Sequence, residues 1–142
     1  MSGGLTTAAV RGMCLALPGA FEDQPFGPDT LVVKVRGRAA TRPRMFALIW
    51  GGERALASGT AEGPARMNLK IEPALGDQLR AAHPEITRGY HMNKRHWVTV
   101  ACGAGLPEAM VRDMVEDSYD LVVESLPAAD REALGWRCSA GG

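Results

Sequence analysis

Apolar side chains recur along this chain with two periods, and the changes of period mark out its elements. Val10, Met13, Cys14 and Leu17 follow helical spacing behind a capping Thr6 or Thr7, and Pro18-Gly19 ends the run. Phe21 to Gly27 mixes two aromatics with polar residues, and Pro25 and Pro28 suit an edge strand or a turn. Leu31-Val32-Val33-Lys34-Val35-Arg36 predicts a strand, Gly37 opens a loop running through Pro43, and Met45 to Trp50 predicts the next strand. Gly51-Gly52 is a turn signal, which places the two strands in one antiparallel meander.

Residues 53–63 are small and polar and read as a loop or weak strand. Arg66 to Ile71 alternates polar and apolar side chains, the period of a half-buried strand. Pro73 suits a first helical turn, Leu75, Leu79 and Ala82 supply an apolar stripe, and His83-Pro84 ends that helix. A polar, basic stretch from Thr87 to His96 then leads into a β-rich run, Trp97 to Cys102. From Pro107 to about Leu126 the helical period returns, with Met110, Val111, Met114, Val115, Leu121, Val122 and Leu126 on one face. Ser118 and Ser125 are the small residues of that face, and Asp130 to Leu134 predicts a short final helix.

The order is helix, three or four strands, helix, one or two strands, helix. It predicts an α+β domain of two layers: a mainly antiparallel sheet of about five strands with helices packed on one face. Residues 1–142 read as a single domain, without repeat or linker.

Composition agrees: 46% hydrophobic and 23% charged residues over 142 positions is the balance of a globular protein. No apolar run approaches the roughly 20 residues of a membrane span. The first residues carry no basic segment followed by an apolar core, so a cytoplasmic chain is expected. Cys14, Cys102 and Cys138 are widely separated, and reduced thiols are expected.

Net charge is zero, but the charges are segregated. Residues 30–52 hold Lys34, Arg36, Arg38, Arg42 and Arg44 and no acid, and residues 88–105 hold Arg88, Lys94 and Arg95 and no acid. The last 37 residues are acidic, with Glu108, Asp113, Glu116, Asp117, Asp120 and Glu124 on the polar face of the long helix. Local fields of this kind steer charged partners even when the total cancels. A zero total argues against strong non-specific binding to nucleic acid.

The stretch from Gly89 to Trp97 carries the most chemistry. Lys94 and Arg95 can meet phosphates, Tyr90, His91, His96 and Trp97 can stack, and Asn93 can read a base edge. A wet polar loop entering a strand is the competing reading. Lys34 and Arg36 share one strand face, and Arg38, Arg42 and Arg44 fall in the following connection. Whether the two basic segments share one side is not legible in the sequence. No metal set is expected: His91 and His96 are five apart with no Cys or carboxylate beside them. No serine sits in a GxSxG setting, nothing matches a phosphate-binding glycine loop, and Cys14 lies on an apolar helix face. Neither an enzyme nor a cofactor is expected.

Several of these segments, in this order, resemble the MmcQ/YjbR family of small bacterial proteins. They are Leu17-Pro18-Gly19-Ala20, Pro25-Phe26-Gly27, Met45-Phe46-Ala47, Asn68-Leu69-Lys70, Gly89-Tyr90-His91-Met92-Asn93-Lys94 with His96-Trp97, and Ser118-Tyr119-Asp120-Leu121-Val122. The resemblance implies a fold similar to type III secretion chaperones, with DNA binding through a double-wing surface. Arg38 to Arg44 lengthens a connection that is short in the family. The expected partner is then double-stranded DNA, gripped by segments 34–44 and 88–96. Alternatives are a protein- or peptide-binding module, a homodimer, and a small-molecule site around Tyr90, His91, Asn93 and Trp97.

Overall fold

The computed structural model describes residues 5–25, 30–36, 42–50, 65–89, 95–102 and 106–134. Thr6 is extended (φ −81°, ψ 167°), and its hydroxyl accepts from the Ala9 amide at 3.1 Å, so it caps α1, Thr7–Leu15. Six strands follow: β1 (Ala20–Asp23), β2 (Thr30–Val35), β3 (Arg44–Trp50), β4 (Arg66–Lys70), β5 (Ile86–Arg88) and β6 (Trp97–Ala101). Between β4 and β5 lies α2 (Pro73–Ala82), and after β6 come α3 (Glu108–Glu124) and α4 (Ala128–Ala133). The strands form one sheet in the order β1-β2-β3-β4-β6-β5, and every pair is antiparallel.

The α+β class is as expected, and the sheet has one strand more than the sequence pattern gave. The addition is β5, whose Ile86, Thr87 and Arg88 pair with Val100, Thr99 and Val98. Three residues are too few for a period of two to register. The turn at Gly51-Gly52 and the weak strand at 53–63 lie outside the described residues.

Register divides the sheet into two faces. On one face Leu31, Val33, Ala47, Ile49, Met67, Leu69, Val98 and Val100 join the core cluster. Against it pack Val10, Met13 and Cys14 of α1, and Val111, Met114, Val115, Tyr119, Val122 and Val123 of α3. Each fully buried aliphatic side chain contributes about 1.5–3 kcal/mol. Tyr119 and Val123 extend the face read from the sequence. The α2 stripe differs: Leu75 is 37% exposed, and Ala82 is exposed as well. The buried position is Gly76, where an added Cβ would stand 3.2 Å from Ile71 Cγ2 and 3.8 Å from Val98 Cγ1. The helix packs through its smallest residue.

The β2–β3 ladder shifts between Val33, which faces Ala47, and Lys34, which faces Met45, leaving Phe46 as an extra residue in β3. Across β3–β4 the ladder runs from Trp50 opposite Arg66 to Ala47 opposite Leu69 and stops there. Ser118, fully buried on α3, enters the gap. Its hydroxyl donates to the Phe46 carbonyl at 2.6 Å and accepts from the Lys70 amide at 2.8 Å. Beside it the Tyr119 ring meets Phe46 edge-on, with centroids 5.3 Å apart. The Tyr119 hydroxyl donates to the Pro18 carbonyl at 2.6 Å. The following Gly19 has φ 75°, and an added Cβ would lie 2.7 Å from the Arg36 carbonyl oxygen, so only glycine makes this turn.

Cys14 and Cys102 are free and buried, and desolvation pushes both thiols up to about 12, with each weakly nucleophilic as a result. Cys138 lies outside the described residues.

Two consequences are testable. Ser118→Ala leaves a buried amide and a buried carbonyl without their bridge, and should cost about 2–4 kcal/mol in urea unfolding. Burial raises the Tyr119 phenol from its ordinary 10.0 to about 12. The unfolded chain therefore ionises first, and the stability that Tyr119 contributes is complete below pH 10 and lost as pH rises towards 12. Tyr119→Phe should lower the melting temperature at pH 7 and flatten its decline above pH 10, measured by circular dichroism.

Candidate functional site

Strand pairing carries both basic segments to the same end of the sheet. Val35 of β2 faces Arg44 of β3, and Lys70 of β4 faces Trp97 of β6. The Ile71 amide donates to the His96 carbonyl at 2.8 Å, and the Gly89 amide to the Trp97 carbonyl at 3.0 Å. The β2–β3 connection, 36–43, and the β5–β6 connection, 89–96, thus leave the sheet side by side. The centres of the two strand pairs that they join are three strand spacings apart, about 14 Å. That is close to the ~12 Å width of the DNA major groove.

The side chains at this end have unequal freedom. Lys34 lies on the sheet face away from α1 and α3, where its ammonium meets Asp23 at 3.0 Å. That bond, with one from the Gln24 amide, holds the Asp23 carboxyl below the usual range. Arg36 is exposed and stacks over Phe21, 4.6 Å from the ring centroid. Arg44 opens β3 and does not lie in the connection as expected. It faces the helix layer with Val35, and its guanidinium donates to Ser125 Oγ at 3.3 Å. Arg42 and Arg88 are exposed and form no ion pair with another described residue. Arg95 and His96 are also exposed, next to the start of β6. Arg38, Tyr90, His91, Asn93 and Lys94 lie outside the described residues.

Gly89 and Trp97 fix the base of the second connection. A Cβ on Gly89 would come within 2.9 Å of Trp97 Cβ and 3.0 Å of its carbonyl oxygen, which excludes larger residues. Trp97 is half-buried on the face away from α1 and α3, while Val98 and Val100 face the core. Lys70, which the sequence pattern did not single out, stands directly opposite Trp97 and adds a cation near this end. An alternating Asn68-Leu69-Lys70 strand beside a basic segment was the available signal.

Acids are placed elsewhere for the most part. Glu72 follows β4, and Glu124 closes α3 near Arg44. The exposed side of α3 gathers Asp113, Glu116, Asp117 and Asp120. Partial burial, followed by repulsion from Asp120, Asp113, Glu116 and Glu72, raises the Asp117 carboxyl. No group of three or more metal-ligating side chains occurs among the described residues.

An antiparallel α+β sandwich with two basic hairpin connections at one end defines the class of this domain. The family model described as YjbR matches residues 15–121, and the chain belongs to the YjbR family. It is similar to YbdF of Escherichia coli O157:H7, at 33% identity over 124 residues, covering 87% of this chain and 89% of that protein. It is also similar to YjbR of Escherichia coli K12, at 27% identity, covering 92% and 98%. Both relatives are described as uncharacterised proteins. Among solved structures, the Deinococcus radiodurans protein DR2400, with a DUF419 domain, superimposes with TM-score 0.78 at 35% identity, covering 96% of this chain and 94% of that one. A Pseudomonas syringae protein matches 72% of this chain with TM-score 0.54 and 29% identity. No helix among the described residues is long and apolar enough to cross a membrane.

Proposed function

We propose that this domain is a non-enzymatic, cytoplasmic DNA-binding protein that grips the duplex backbone with its two basic connections. The observation that carries the reading is their common origin at one end of the sheet, about 14 Å apart by strand spacing. Arg42 and Arg88 form no ion pair with another described residue, so meeting phosphate costs them no described partner. Arg36 and Arg95, with Arg38 and Lys94 from the same two segments, would add phosphate contacts. Tyr90, His91, Asn93 and His96 would be the residues near bases or sugars. Lys34 and Arg44 support this set rather than lead it, since each already has a partner within the fold. The acidic outer side of α3 would be held away from DNA by repulsion, which orients the approach.

A peptide-binding module would need an exposed apolar groove. Among the described residues Leu75 is the exposed large hydrophobic, so that reading has less support.

Fluorescence anisotropy with a labelled duplex, titrated across salt, tests the proposal. Binding should appear at low salt, and log affinity should fall linearly with log salt, by about 0.9 per phosphate contact. Arg42→Ala with Arg88→Ala, and separately Lys94→Ala with Arg95→Ala, should each weaken binding and reduce the slope by about 1 to 2. Absence of binding at low salt, or slopes unchanged in both variants, would overturn it.

A further inference from the structure

Two guanidiniums meet the turn that joins α3 to α4, and neutral acceptors hold each of them there. Arg44, at the start of β3, donates from Nη1 to Ser125 Oγ at 3.3 Å. Ser125 Oγ in turn donates to the Val122 carbonyl at 2.6 Å, which leaves its lone pairs for Arg44. Arg131, on α4, reaches back over the same turn. Its Nη1 donates to the Leu126 carbonyl at 2.6 Å and to the Glu124 carbonyl at 3.4 Å. These bonds fall on consecutive residues, 124 to 126, so both guanidiniums border Ser125. Leu134 closes against Gly19 beside the Arg36 carbonyl, which places α4 at the same end of the sheet as the 36–43 connection. Neither Arg44 nor Arg131 forms an ion pair with another described residue, whereas Arg11, Lys34, Arg80 and Arg112 each do. A hydroxyl or a carbonyl fixes a guanidinium without cancelling its charge. Nε and Nη2 of both arginines keep their protons for another acceptor. Arg44 and Ser125 are exposed and Arg131 is half-buried, so a solute can reach them.

We infer that Arg44 and Arg131 form a clamp for a phosphate group, set in the helix layer beside the β2–β3 connection. Two planar forks carried by different elements can each take oxygens of one phosphate, whereas the two oxygens of a carboxylate are filled by a single arginine. Side chains already held in place lose less rotamer freedom on binding than free surface cations do. Glu124 and Glu132 are exposed beside the turn and oppose any anion at long range. The clamp therefore depends on short directed bonds, and it should prefer phosphate to a halide ion. The phosphate is either free or part of a duplex backbone, and both offer the same oxygens. Free phosphate would satisfy the clamp by itself, so the inference does not require the DNA reading. In the sequence Arg131 falls in the acidic last part of the chain, and only the α3–α4 turn brings it to Arg44.

The test is a nuclear magnetic resonance titration of the full chain at constant ionic strength, following the Nε–Hε signals of Arg44 and Arg131. Inorganic phosphate is the probe and chloride the control. Both signals should shift along one saturating curve, with a Kd on the order of 1–10 mM, and chloride should leave them in place. Arg131→Gln removes the charge while keeping an amide donor for the turn, and should weaken phosphate binding about tenfold. Glu124→Gln with Glu132→Gln removes the repulsion and should strengthen binding about twofold. Thermal melts confirm that both variants are folded, and the titration of the unaltered chain needs neither. Shifts that do not saturate, that follow different curves, or that appear equally with chloride overturn the inference. A labelled duplex then separates the two sources. If phosphate binds and Arg131→Gln also lowers the salt slope of duplex binding by about 1, the clamp takes a backbone phosphate. If phosphate binds and that slope is unchanged, the clamp stands as a site for free phosphate. If phosphate binds and no duplex does, the clamp stands and the DNA reading fails. If the duplex binds and neither arginine signal responds to phosphate or to duplex, the clamp fails and the DNA reading stands.

Discussion

The Ser118 hydroxyl takes the place of a missing rung in the sheet. The bulge at Phe46 breaks the regular pairing of β3 with β4, leaving one carbonyl and one amide facing each other across a widened gap. Both are interior groups, and each would carry a desolvation penalty of about 1–3 kcal/mol without a partner. One hydroxyl can donate once and accept as well, and here it does both, at 2.6 and 2.8 Å. The same turn of α3 presents Tyr119 to Phe46 and to the Pro18 carbonyl. A single helix turn thereby sets the place of β3, β4 and the chain between α1 and β1.

The placement of the basic segments depends on that joint. β4 stands between the β2–β3 pair and the β6–β5 pair, so its pairing with β3 on one side and β6 on the other sets the spacing of the two strand-pair ends. Much of the motif set shared with the YjbR family now has a structural meaning. Pro18-Gly19, Phe46, Lys70, Ser118 and Tyr119 meet in one network of named contacts, and Gly89 is excluded from bearing a side chain by Trp97. These residues record how the sheet is assembled. The charges of the two basic segments are a separate layer laid on it, and the proposed DNA contacts belong to that layer.

Periodicity made most elements legible. The Arg66–Lys70 strand and the 17-residue α3 are long enough, and patterned enough, to be read directly. β5 was not, because three residues before a glycine carry no pattern. Ser118 could be seen as a small residue on an apolar helix face, but its role depends on a bulge 72 residues away. Arg44 read as part of a loop, and its direction follows only from its pairing with Val35. The common end of the two basic segments was likewise invisible, since strand order and register are tertiary facts. Once they are known, so are the two sides of the sheet and the pairing of Trp50 with Arg66 and of Trp97 with Lys70.

The most direct measurement is an amide chemical-shift titration of the isotope-labelled chain with a short duplex. Shifts concentrated at residues 36–44 and 88–96, with the exposed side of α3 unmoved, are the expected result. Shifts centred on α3, or none at a duplex concentration that saturates low-salt binding, would contradict a DNA interface at the basic end of the sheet.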